Sequence, residues 1–144
     1  EMKENEKYSS YIINSYIDLI KRKAANDVCI TNLYGFAILF ENDRLNNDII
    51  TDVLGENASD RNVIIIPIES ENGVIKVSQP AIRSKSHVSM VMLDKKSQTV
   101  QLIDSCKEGY NKAQELAFYH FGRKIADAVY GINFENFAIL GKFI

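Results

Sequence analysis

Proton transfer near neutral pH and attack by a thiolate have few places to occur in this chain. Its 144 residues include two histidines, His87 and His120, and two cysteines, Cys29 and Cys106. One spacing stands out among them. His87 opens the run His87-Val88-Ser89-Met90-Val91-Met92-Leu93, and Asp104 closes the run Thr99-Val100-Gln101-Leu102-Ile103-Asp104, with Asp94-Lys95-Lys96-Ser97 as turn chemistry between them. With a loop of Lys95-Lys96, or of the four residues Asp94 to Ser97, paired residue numbers sum to 191 and His87 faces Asp104 directly. Directly opposed Cβ atoms lie roughly 4.5–5.5 Å apart on one sheet face. A carboxylate at that distance can accept the Nδ1 proton, fix the ring tautomer and raise its basicity. The pair is then the base and the orienting acid of a nucleophilic triad. The same arrangement also serves as a strand-end hydrogen bond with no chemistry attached.

The other candidates carry less. Cys106 follows Asp104 by two residues and would lie near His87, but no oxyanion donor is apparent beside it, so it is not the expected nucleophile. Cys29 lies in an apolar stretch, where thiols are mostly packing. His120 shares a helix with Asp127 and belongs to a solvated face with no metal-ligand cluster. Lys21-Arg22-Lys23 fits a helix C-terminus, where cations suit the dipole. No glycine-rich phosphate loop is present, and no cofactor is expected.

The elements that must position the pair alternate in type. Tyr8, Tyr11, Ile12, Tyr16, Leu19 and Ile20 recur at helical steps from Tyr8 to Lys23. Val28 to Phe40 is apolar and ambiguous: Thr31 and Asn32 can cap a helix, while Gly35 argues against one. Leu45 to Leu54, closed by Gly55, fits a short helix. Val63-Ile64-Ile65-Ile66-Pro67-Ile68 has the β-branched character of a strand covered on both faces, with Pro67 marking its end. Glu69 to Pro80 is a polar connection around Asn72-Gly73, a hairpin signal. Val88 to Leu93 and Thr99 to Ile103 are strands, Ala113 to Val129 is one long amphipathic helix ending at Gly131, and Phe137 to Ile144 is a last strand. The sum is one α+β domain over residues 1–144: a mixed or antiparallel central sheet flanked by helices.

Composition narrows the function. The net charge is -2, which argues against a nucleic-acid partner held by bulk phosphate attraction. No apolar run approaches the ~20 residues that cross a bilayer, and the start from Glu1 to Lys7 is no signal peptide. Two cysteines make no disulfide framework, which fits reduced thiols in a cytoplasmic setting. Many Ile, Asn and Lys residues beside no Trp suggest an AT-rich genome, and a bacterial effector delivered to host cytosol is one source that fits.

The order of these segments resembles the Ulp1-like cysteine peptidases of clan CE, the SUMO and ubiquitin isopeptidase group. The match rests on Val63-Ile64-Ile65-Ile66-Pro67-Ile68, then Ser86-His87 with Leu93-Asp94, then Ile103-Asp104-Ser105 and the long helix. It implies a papain-like architecture with His87 as general base, Asp104 as the acid that orients it, and ubiquitin or a ubiquitin-like protein as partner. It also implies that Tyr8 to Lys23 is the helix facing that partner. Two departures follow. The family's Trp after the histidine is Val88 here, which implies a wider slot for the substrate's Gly-Gly tail unless Tyr34 or Phe36 fills it. The family's oxyanion Gln and nucleophilic Cys would fall past Ile144, so the chain is expected to be the His–Asp-bearing part of a truncated domain, inactive alone. The rival readings are an inactive relative that binds a partner protein, and the acetyltransferase branch of the same clan, which uses acetyl-CoA.

Overall fold

The computed structural model describes residue 17 and residues 26–77, 87–104 and 110–140. The helix expected from Tyr8 to Lys23 falls, apart from Ile17, outside the described residues, as do Cys106 and residues 141–144. The described elements run β1 (Val28–Ile30), α1 (Leu33–Glu41), α2 (Asn47–Leu54), a 3₁₀ turn (Ala58–Asp60), β2 (Val63–Glu71), β3 (Val74–Ile75), β4 (His87–Asp94), β5 (Thr99–Ile103), α3 (Lys112–Tyr130) and β6 (Asn136–Leu140). Six strands form one mixed sheet in the order β1-β2-β4-β5-β6, with β3 pairing β2. The β1–β2 and β5–β6 pairs are parallel, and the remaining pairs are antiparallel. This is an α+β fold.

The ambiguous segment resolves into a strand and then a helix. Asn32 caps α1 by accepting from the Gly35 N–H at 2.9 Å, which settles one of the orphan donors of the first turn. Gly35 is weak helix material, yet a Cβ there would stand 1.8 Å from Thr31 Oγ1. Close approach of the capping loop, and not helix propensity, selects the residue. Asn46 caps α2 in the same way, and Gly55 closes it at φ 96°. The long helix α3 carries a reciprocal capping box between Asn111 and Gln114 and stops at Gly131 in the left-handed region.

β2 is longer than its sequence pattern suggested, and Pro67 does not end it. Thr31 N–H donates to Ile65 O, and Lys76 N–H donates to Glu69 O, so odd-numbered residues of β2 point their backbone groups toward the β1 and β3 side. β1 stops opposite Ile65, and β3 begins opposite Glu71. The missing donor of Pro67 therefore falls in the gap between two short neighbours, where no ladder bond is lost. The expected hairpin follows, with Asn72 at φ 53° and Gly73 at φ 83°, the positive pair that suits a two-residue β-turn.

Alternation along the three central strands sends Ile64, Ile66, Ile68, Val91, Leu93, Val100 and Leu102 to one face, all fully buried. There they meet α1 and α3. Phe36 of α1 packs edge-on against Phe121 of α3 at 5.8 Å between ring centroids. Gly122 lets α3 approach the sheet: a Cβ there would meet Val100 Cγ1 at 2.6 Å.

Candidate active site

The same face continues to the end of the sheet, where it turns polar. Ser70 is the pairing partner of His87, and Ser89 pairs Ile68, so Ser70, His87 and Ser89 succeed the isoleucines on the inward side. Asp104 follows Leu102 and Ile103 at the end of β5, its N–H donating to Leu140 O on β6 at 3.2 Å. Ser70, Ser89 and Asp104 are buried, and the His87 side chain keeps 34% of its surface exposed. An imidazole about one-third open to solvent above buried polar groups is what a proton-transferring group needs: held from behind, reachable from in front.

His87 and Asp104 do meet, by a route other than the expected one. The observed pairs run from Asp94 with Thr99 to Met90 with Ile103, so paired numbers sum to 193 and not 191. The loop is Lys95 to Gln98, and Asp94 remains in β4. In that register Asp104 stands level with Ser89, and His87 is its diagonal neighbour. Because the shift is two residues, both side chains stay on the same face. Diagonal neighbours are roughly 7–8 Å apart, a span that aromatic and long side chains close. The distal ring nitrogen accordingly makes the contact: His87 Nε2 lies 2.7 Å from Asp104 Oδ1. The expected Nδ1 contact is thus corrected to Nε2, which leaves Nδ1 directed elsewhere.

The second carboxylate oxygen belongs to a residue that sequence reasoning missed. The Tyr110 phenol donates to Asp104 Oδ2. Burial, followed by the hydrogen bond and the charge of Asp104, pushes the Tyr110 pKa well above the ordinary tyrosine range. The Ser70 and Ser89 hydroxyls pull in the opposite direction. Neither serine Oγ closes to a hydrogen bond of normal length among the described residues.

Other sequence candidates lie away from this site. Cys29 pairs Ile64, which pairs Leu93, so six residues of β4 separate its row from His87, roughly 20 Å along a strand. Its buried thiol donates to Leu54 O at 3.1 Å, a packing role. Phe36 is fully buried in the core and therefore does not wall a substrate slot, while Tyr34 on α1 is exposed. Val88 is partly buried and, by alternation, projects to the face opposite His87. His120 is exposed on α3 with its ring beside Tyr119.

No family model matches the sequence, and no curated protein matches it. Solved structures do match in fold. The C-terminal protease domain of Ulp1, solved in complex with Smt3, the yeast ortholog of SUMO, aligns with a TM-score of 0.64 at 17% identity over 92% of this chain and 54% of that one. The SUMO protease Ulp1 with its catalytic cysteine oxidised to a sulfenic acid aligns with a TM-score of 0.60 at 14% identity, over 96% of this chain and 57% of that one. The fold of this chain is that of a Ulp1-like protease domain. The chain spans little more than half the length of those domains.

Proposed function

We propose that this chain is the His–Asp half of a Ulp1-like cysteine protease domain, a deubiquitinase or an isopeptidase for a ubiquitin-like protein. The supporting observation is the 2.7 Å contact between His87 Nε2 and Asp104 Oδ1 at the polar end of a Ulp1-like sheet. With Nε2–H donated to the carboxylate, Nδ1 keeps the lone pair and is the general base. A Cys thiol brought to Nδ1 gives up its proton, and the thiolate attacks the carbonyl carbon of the isopeptide bond. The tetrahedral oxyanion collapses, and the leaving amine takes the proton from the imidazolium. Water, deprotonated by the same nitrogen, then hydrolyses the thioester. In this reading the Cys and an oxyanion-holding Gln come from chain following residue 144. The partner is a ubiquitin-like protein, as Smt3 is for the Ulp1 domain. No helix among the described residues is long and apolar enough to cross a membrane; we place the activity in the cytoplasm, or in host cytosol for a bacterial effector.

A second reading, a partner-binding relative without turnover, draws on the position of Cys29, far from His87. Fluorogenic SUMO and ubiquitin substrates separate the two. The complete reading frame is expected to hydrolyse one of them and to lose turnover in His87→Ala, while the 144-residue chain alone neither turns over nor reacts with propargyl ubiquitin probes. Tight binding without turnover by the complete protein favours the binding module. Acetyl transfer from acetyl-CoA moves the assignment to the acetyltransferase branch. Probe labelling of the short chain that Cys106→Ala abolishes makes Cys106 the nucleophile.

A further inference from the structure

We propose that Tyr110 is a positioning residue for the Asp104 carboxylate, fixing Oδ2 so that Oδ1 is presented to His87 Nε2. The proposal rests on the His87–Asp104 reading above. A carboxylate held through one oxygen still turns about its Cβ–Cγ bond, a broad torsion with no sharp staggered wells. Donors on both oxygens fix its plane. His87 supplies one from β4, and Tyr110 supplies the other from the start of α3. The two donors therefore arrive on independent elements.

The phenol is mounted rigidly. Tyr110 directly precedes Asn111, the N-cap of α3, whose side chain accepts from Gln114 N–H at 2.8 Å. Gln114 in turn donates to Asn72 O of the β2–β3 hairpin at 3.0 Å, which ties the helix start to the sheet. The Tyr110 ring also packs on the fully buried Phe118, with centroids 5.0 Å apart. The raised phenol pKa keeps the O–H available as a donor across the range in which imidazole chemistry operates. A tyrosine serving the core alone would need none of this, because a phenylalanine would pack on Phe118 equally well.

The test is NMR of the imidazole in the 144-residue chain. The proton on His87 Nε2 is expected as a downfield, slowly exchanging resonance from a single tautomer, lost in Asp104→Ala. In Tyr110→Phe its exchange should accelerate at least about tenfold, as removal of a hydrogen bond to a charged group implies, with both tautomers populated. Incorporation of fluorotyrosines at position 110 gives a series that keeps the ring in place. A more acidic phenol donates more strongly to Oδ2, draws charge from Oδ1, and should move the Nε2–H resonance stepwise upfield. If both the exchange rate and the resonance are indifferent to Tyr110→Phe and to fluorination, Tyr110 is packing only and the proposal is wrong. If Asp104→Ala leaves the imidazole signal unchanged, the His–Asp pair itself fails and this proposal falls with it.

Discussion

Along β2, β4 and β5, the inward positions at one end are Ile64, Ile66, Val91, Leu93, Val100 and Leu102, all fully buried. At the other end the same alternation delivers Ser70, Ser89, His87 and then Asp104. The apolar end gains from every side chain it removes from water and pays no polar desolvation. The polar end buries two hydroxyls and a carboxylate, which costs stability unless each finds a partner. Among the described residues the carboxylate is held in a network, with His87 on one oxygen and Tyr110 on the other, and the two hydroxyls are not. One sheet face thus divides its labour: one end holds the fold, and the other keeps a charged group oriented.

That division predicts unequal effects of substitution. The largest belongs to the apolar end, where Ile66→Ala should cost about 2–5 kcal/mol in urea unfolding, since the residue is fully buried and its truncation leaves a gap in the core. Gly122→Ala should cost about 1–3 kcal/mol by overpacking against Val100, and adding Val100→Ala to the same chain should recover part of it. A Gly122→Ala variant as stable as the parent would show that α3 does not approach the sheet this closely.

Alkaline pH sharpens the contrast from another side. Burial raises the phenol pKa of both Tyr110 and Tyr130 above the ordinary value of 10.0. The folded state then holds these protons more tightly than the unfolded chain does. Their contribution is full below pH 10.0 and is lost as pH rises beyond it, because the unfolded tyrosines ionise first. Thermal unfolding should fall by on the order of 1 kcal/mol by about pH 11 after allowing for partial exposure, and the double Tyr110→Phe, Tyr130→Phe variant should flatten that slope. The smallest effect is expected at Ser89. Its hydroxyl is buried without a hydrogen bond among the described residues, so Ser89→Ala should change stability by less than about 0.5 kcal/mol or raise it slightly.

The sequence carried the faces better than the register. An even-numbered turn between Val88–Leu93 and Thr99–Ile103 was enough to put His87 and Asp104 on one side, and β-branched runs and helical periodicity marked β2 and α3. The two-residue register error has a physical source. Gln98 adopts φ 52°, a left-handed position that Gly or Asn would have signalled and Gln does not. Asn62 also holds the loop from a distance, accepting from Lys96 N–H through its side chain and from Lys95 N–H through its carbonyl. Pro67 misled because its neighbours stop short of it, a fact of topology with no local signature. Tyr110 was invisible for the same reason: nothing in Tyr110-Asn111-Lys112 announces a carboxylate six residues earlier in the chain.

The most direct test of the account is kcat/KM of the complete reading frame on its preferred fluorogenic SUMO or ubiquitin substrate, with Asp104→Asn and His87→Ala measured beside the parent. If His87 is the general base and Asp104 orients it, as proposed, both variants should fall by at least about a hundredfold, within the roughly 10²–10⁴-fold that positioned acid–base catalysis supplies, while remaining folded. Turnover within about twofold of the parent in either variant would contradict the account and leave His87 and Asp104 as a strand-end hydrogen bond.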